Sequence, residues 1–290
     1  MSNTTRRQMF AAAGLSLAAF GLGTHVAARD RSSENENLPD FSGTPKDVTQ
    51  SGGWKYLPTD AKKAADDSYD FFKDGACHYA SFRAIVTNVA HALSATGIES
   101  DAALARTYLA FPFYMMVYGQ AGLAYYGSLC GALNGCAAAL SLFVPDVPEK
   151  FAMIQDLAVY YEETPLPIYI PKVDNYPGKM PPNAAKSILC HLSLDKWIKN
   201  SGTNLEGYTR VERCIRVTCD MVAKTVELLN EYHKDRQQTL AHLMPLLAET
   251  QSCVECHSDK HGRYDSISKM NCTECHSQPQ EDRACLGDWK

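Results

Sequence analysis

The sequence predicts an all-α protein, a helical bundle core followed by a C-terminal, mostly irregular segment, and three observations carry that reading. Between residues 54 and 250 apolar residues recur at three- and four-residue steps, the period of a helix with one buried face. Runs that alternate apolar and polar residues, the mark of a half-buried strand, are hard to find. After Thr250 aliphatic residues almost vanish: Val254, Ile267, Met270 and Leu286 are nearly all. Such a segment buries too little surface to fold unaided, whereas the helical stretches suit a bundle.

Taken in order, residues 1–28 read as a twin-arginine export signal. Arg6-Arg7 precede a moderately apolar run from Ala11 to Leu22, and Val26-Ala27-Ala28 offers small residues for cleavage. A run of about a dozen apolar residues is short of the ~20 needed to span a bilayer. The mature chain is therefore expected in the periplasm, not membrane-spanning after cleavage. Because this route carries folded proteins, it hints at a cofactor inserted before export. Residues 29–53 are polar and punctuated by Ser51-Gly52-Gly53, a flexible leader.

The helical domain, 54–250, opens with a stripe of Ala64, Tyr69 and Phe72 that Gly75 breaks. A second stripe runs through Phe82, Ile85, Val89 and Leu93 to Gly97. Residues 102–125 and 129–143 are apolar and glycine-spaced, as buried, closely packed helices would be. Helices are expected at 148–162 and 184–199, and between them six prolines from Pro165 to Pro182 predict a long ordered loop. The strongest helix spans 206–233, where Val211, Ile215, Val222, Val226 and Leu229 share a face. Another is expected from about Lys234 to Ala248.

The tail, 251–290, carries the chemistry. Cys253-Val254-Glu255-Cys256-His257 and Cys272-Thr273-Glu274-Cys275-His276 are two C-x-x-C-H motifs nineteen residues apart. Two thiols add across the haem vinyl groups, two intervening residues set their separation, and the adjacent histidine binds iron. So Cys253, Cys256, Cys272 and Cys275 are the expected covalent attachment points, and His257 and His276 the proximal ligands. A zinc ribbon also pairs C-x-x-C motifs, but here both end in histidine behind an export signal. Two haem c groups then form the core of the tail and lie close together. For the distal positions the candidates are His261, His242 and His233, with Met244 and Met270 weaker; an exposed histidine at a helix end is more commonly just solvated.

Eleven cysteines leave seven beyond the haem motifs. Cys77, Cys130, Cys136, Cys190, Cys214 and Cys219 fall on the bundle, as inert buried thiols, as disulfides, or as ligands of an iron–sulfur cluster. Cys130 and Cys136 would not face one point of a helix, and of Cys214 and Cys219 only one should point inward. That leaves Cys77, Cys130, Cys190 and either Cys219 or Cys214, one from each of four segments. The residues following Cys130 are small enough to admit a cluster beside the backbone. A formal net charge of −5, with no basic stripe, gives no case for nucleic acid.

Gly75-Ala76-Cys77, Leu129-Cys130-Gly131-Ala132-Leu133-Asn134-Gly135, Cys190 with Leu192, and Cys219-Asp220-Met221-Val222 resemble the redox-active family named for its C-GCAxxG-C-C pattern. Joined to the paired C-x-x-C-H motifs and the twin-arginine signal, the whole from about 54 to 290 resembles the split-Soret cytochromes c. That resemblance implies a homodimer with two stacked haems per chain. It implies bis-histidine ligation, one axial histidine coming from the neighbouring subunit, and an iron–sulfur centre, of the 2Fe-2S kind, in the helical part. Carried over, Cys77, Cys130, Cys190 and Cys219 become the cluster ligands, with Cys214 spare. Cys136 stands where a small residue is usual, and Cys285 matches nothing, a free thiol. The expected function is periplasmic electron transfer to a redox partner protein, since iron with both axial positions filled has no open site for substrate. The alternative is a haem reductase or peroxidase with one open coordination site.

Overall fold

The computed structural model describes residues 53–173, 180–203, 207–257 and 269–276. The export signal, all but the last residue of the leader, His261 and Cys285 lie outside them. The described residues form helices without a single extended strand, as the apolar period required. None of these helices is long and apolar enough to cross a membrane.

Helix α1 (Ala61–Ser94) opens at Asp60, whose carboxylate accepts the Lys63 amide at 2.9 Å and so satisfies an otherwise unpaired donor. The break expected at Gly75 is a kink inside it. Gly75 and Ala76 leave helical geometry, Ala76 at φ 61° and ψ −163°, a region that disfavours any side chain. A Cβ on Gly75 would stand 2.5 Å from Cγ of Tyr79, so glycine is needed there. Helix α2 (Glu99–Leu109) follows, then α3 (Gly131–Phe143) and α4 (Val147–Glu163). Asp146 caps α4 through the Glu149 amide at 3.1 Å, with Pro148 in its first turn. Then come α5 (Cys190–Ser201), the long α6 (Tyr208–Lys234) and two short helices, α7 (Arg236–Ala241) and α8 (Ala248–Cys256).

The second half of α1 is the hub, packed against α3 and α6. Phe82, Ile85, Val89 and Leu93 are buried against Leu133, Leu140 and Phe143 of α3 and Val222, Val226 and Leu229 of α6. Burying each such side chain contributes roughly 1.5–3 kcal/mol, which makes this contact the main source of stability. Helix α3 can approach α1 closely only because position 135 is glycine: a Cβ there would sit 2.1 Å from Ser81 Oγ and 2.4 Å from the His78 carbonyl oxygen. Before α1, Trp54 stacks on Tyr108 with ring centroids 4.2 Å apart, and the Tyr56 hydroxyl donates to Asn230 at 2.7 Å. These contacts bind the first described residues to the bundle.

Three expected helices differ. Residues 102–125 are not one buried helix: α2 ends at Leu109, a 3-10 stretch covers Phe113–Gly119, and Ala121 to Tyr125 all take positive φ. Pro112 interrupts the first helix, and the left-handed run uses backbone that only its hydrogen bonds justify, such as Ala124 N–H to the Tyr118 carbonyl at 2.9 Å. Residues 184–189 are not helical, with bends at 186–188 and Lys186 at φ 56°, so the helix expected from 184 starts at Cys190. The 234–248 helix shrinks to α7, ending where His242 folds back so that its Nδ1 meets the Gln238 carbonyl at 2.7 Å. The described part of the proline-rich connection is an ordered loop, held by the Trp197 indole donating to the Pro181 carbonyl at 2.8 Å and by pairing of Leu166 with Asn183.

Candidate functional site

Four thiols come together, three of them where helices begin. Residues 127–130 and 188–191 run antiparallel: the Cys130 amide donates to the Ile188 carbonyl at 2.9 Å and the Cys190 amide to the Ser128 carbonyl at 2.7 Å. This short clamp holds Cys130, the cap of α3, beside Cys190, the first residue of α5. Cys77 is the first helical residue after the α1 kink. Three thiols therefore sit at helix N-termini, where the partial positive charge of unpaired amides favours thiolate. Cys77, Cys130, Cys190 and Cys214 of α6 act on one another electrostatically, so they form one group.

The surroundings are built for sulfur. Gly131 lies against Cys77, since a Cβ there would be 2.4 Å from its Sγ. The amides of His78 and, from the left-handed turn, Ala121 point at the Cys77 sulfur. Burial nevertheless pushes the Cys77 thiol up to about 12 and also raises Cys190 and Cys214. Among the described residues, no three His, Cys, Asp or Glu side chains converge closely enough for a single metal ion. Thiolates on one tetrahedral ion stand only about 3.8 Å apart. Four cysteines are the donor set an iron–sulfur cluster takes, and this group supplies it.

Cys219, paired with the first three by resemblance, lies elsewhere. It is buried with Ala65 and Ile215 and receives the Ser68 hydroxyl at 3.4 Å, while Cys214 takes the place beside the other three. Both α6 thiols face protein, on different sides. Cys136 is fully buried near Thr225 and Ser81, its thiol pushed up to about 12 by burial. No disulfide links the described cysteines. His78 is wholly buried; neither ring nitrogen has a hydrogen-bond partner of good geometry, the Met116 backbone being the near approach, and burial lowers it to about 4. His191 is exposed, with Nδ1 on the Gly127 carbonyl at 2.8 Å.

Sequence reasoning missed the polar residues behind the thiols. The Tyr161 hydroxyl lies between Ser193 Oγ, to which it donates at 2.8 Å, and Cys130. Buried Arg213 donates from Nη2 to the same Ser193 Oγ at 2.7 Å. An arginine directly before a cysteine, off the Ile215, Val222, Val226 and Leu229 stripe of the most strongly patterned helix, was the signal that could have marked it.

In the tail, α8 carries Cys253 and ends at Cys256, with His257 as its exposed cap; a 3-10 turn spans Cys272–Glu274. The Cys253 and Cys272 thiols lie within hydrogen-bonding reach of each other, so the two C-x-x-C-H motifs adjoin. The exposed Cys275 and His276 follow. Lys196 of α5 pairs with Glu274, and the Asn271 amide points at Glu162 at 3.5 Å, which fastens the second motif to the bundle. Helix α5 thus touches the thiol group at one end and a haem motif further along. Of the distal candidates, His233 stacks on Tyr56 at 4.6 Å with Nε2 3.2 Å from the Phe143 carbonyl, which engages it in packing. His242 is exposed with only Nδ1 hydrogen-bonded. His261 lies outside the described residues.

Comparison with known proteins agrees with this picture. Residues 102–228 match the family described as "Putative redox-active protein (C_GCAxxG_C_C)". The chain is 34% identical over 242 residues to split-Soret cytochrome c of Desulfovibrio desulfuricans ATCC 27774, covering 81% of this chain and 82% of that protein. It is also similar to a solved structure presented as "A novel iron centre in the split-Soret cytochrome c from Desulfovibrio desulfuricans ATCC 27774", with a TM-score of 0.69 and 30% identity over 83% of this chain and 98% of the other.

Proposed function

Because the chain belongs to the split-Soret cytochrome c family, we propose that it is a dihaem electron carrier of the periplasm, acting as a homodimer, with an iron–sulfur centre in its helical part. The observation that carries the second centre is the convergence of Cys77, Cys130, Cys190 and Cys214 from four helices. Haem c and iron–sulfur clusters supply one-electron exchange when bound. The chain supplies the rest. Cys253 with Cys256, and Cys272 with Cys275, fix the porphyrins; His257 and His276 serve as proximal ligands. His242 is the better placed of the described distal candidates, because its Nε2 is uncommitted. The helix-start amides, with those of Ala121 and His78, favour sulfur in its anionic form, and the Tyr161 hydroxyl lies beside Cys130. Helix α5 joins the two regions through Cys190 and the Lys196–Glu274 pair. Arg6-Arg7 support export of a folded, loaded chain.

The test is compositional. Anaerobically purified mature protein should give a pyridine haemochrome of two haems per chain, further iron matched by acid-labile sulfide, and a sedimentation mass of two chains. Iron equal to haem iron alone would remove the second centre; a polypeptide without haemochrome would end the proposal.

A further inference from the structure

Arg213 precedes Cys214 on α6 and is 3% exposed. One edge of its guanidinium is held, Nη2 donating to Ser193 Oγ at 2.7 Å. Its Nε has no acceptor. Among the described residues no carboxylate pairs with it; the acidic groups that act on it most are the Tyr161 hydroxyl and the thiols of Cys214 and Cys130. Asp220, which feels its field, is turned to the Ile168 amide, accepting at 2.9 Å. A guanidinium does not shed its proton in a protein interior, and a buried cation without a counter-charge is strongly unfavourable. Thiolates around iron would supply that counter-charge.

Resting on the iron–sulfur reading above, we propose that Arg213 is the charge-compensating, positioning residue of that centre: held by Ser193, it offsets the anionic cluster and favours its reduced form. Reduction adds one electron, taken from an external reductant, and makes the centre more negative by one charge. A fixed cation beside Cys214 and Cys130 therefore stabilises the reduced state more than the oxidised one. Tyr161 donates to the same Ser193 Oγ that holds the guanidinium.

The experiment is a dithionite titration of the full mature protein followed by electron paramagnetic resonance, for the native chain, Arg213→Met and Arg213→Lys. Arg213→Met should lower the midpoint potential of the iron–sulfur centre by at least the 59 mV that a tenfold change in a one-electron equilibrium represents. Arg213→Lys should recover more than half of that shift, and the haem potentials should stay fixed in all three. A second reading comes from melting the haem-loaded protein after a chelator has removed the cluster. There Arg213→Met should melt at or above the native chain, because an unbalanced buried cation has gone. An unchanged midpoint, haem potentials that move with it, or an Arg213→Met chain that melts lower or fails to fold would each overturn the assignment. A native protein with no iron beyond its haems overturns the iron–sulfur reading itself, and this assignment with it.

Discussion

Five positions of α6 separate two thiols with different surroundings. Cys214 stands beside Arg213 and acts on Cys130 and Cys190, whereas Cys219 is sealed against Ala65 and accepts the Ser68 hydroxyl. Spacing alone showed that they point apart, but not which one meets the others, since helix rotation is set by packing that a single sequence does not display. Family pattern favoured Cys219; the electrostatics of the folded chain favour Cys214. Cys214→Ser is therefore expected to lose most of the acid-labile sulfide while keeping both haems. Cys219→Ser should keep the sulfide and lose only about 1 kcal/mol of stability, from a buried polar exchange. Parallel sulfide analysis of the two variants checks this, and equal losses would contradict it.

At the scale of elements, what was legible followed from period and punctuation. The apolar step of 206–233 is α6, and Gly75 marks the kink of α1. What was not legible depended on geometry with no side-chain signature. The turn at Ala121 to Tyr125 carries ordinary helix formers in left-handed backbone, so composition argued for continuing the helix. Likewise Cys190 looked like a mid-helix residue, and only the antiparallel clamp with Cys130 shows it to be a helix start. The contact between α3 and α1 is testable at Gly131. A Cβ there would stand 2.4 Å from Cys77 Sγ and 2.8 Å from the Gly119 carbonyl oxygen. Gly131→Ala should cost about 1–3 kcal/mol by overpacking and displace the Cys77 thiol. A lower melting temperature together with reduced non-haem iron is the expected result.

For the whole molecule, the docking of the tail carries a titration. Glu162 is 3% exposed, near the Asn271 amide and Glu274, and burial lifts its carboxyl from 4.5 to about 7. Its folded value lies above its unfolded one, so the folded chain binds the extra proton and stability falls as pH rises between those values. The span corresponds to at most about 3 kcal/mol. Glu162→Gln removes this dependence. Melting native and variant chains at pH 4.5, 6 and 7.5 should show the variant gaining on the native protein as pH rises; a constant difference would refute the assignment. Comparing the pair at each pH cancels the titrating groups that do not interact with Glu162; Glu163 and Glu274 do.

The pairing of Leu129 with Leu189 brings together sulfurs sixty positions apart, and Cys77 and Cys214 widen the span further. No two of the four are sequence neighbours, so the nascent polypeptide offers no local chelating stretch on which iron could be loaded early. On the iron–sulfur reading proposed above, maturation then runs in a fixed order, the tertiary contacts forming before the inorganic sulfide centre is installed. Export by a route that carries folded chains, the one proposed from Arg6-Arg7, would be compatible with that order.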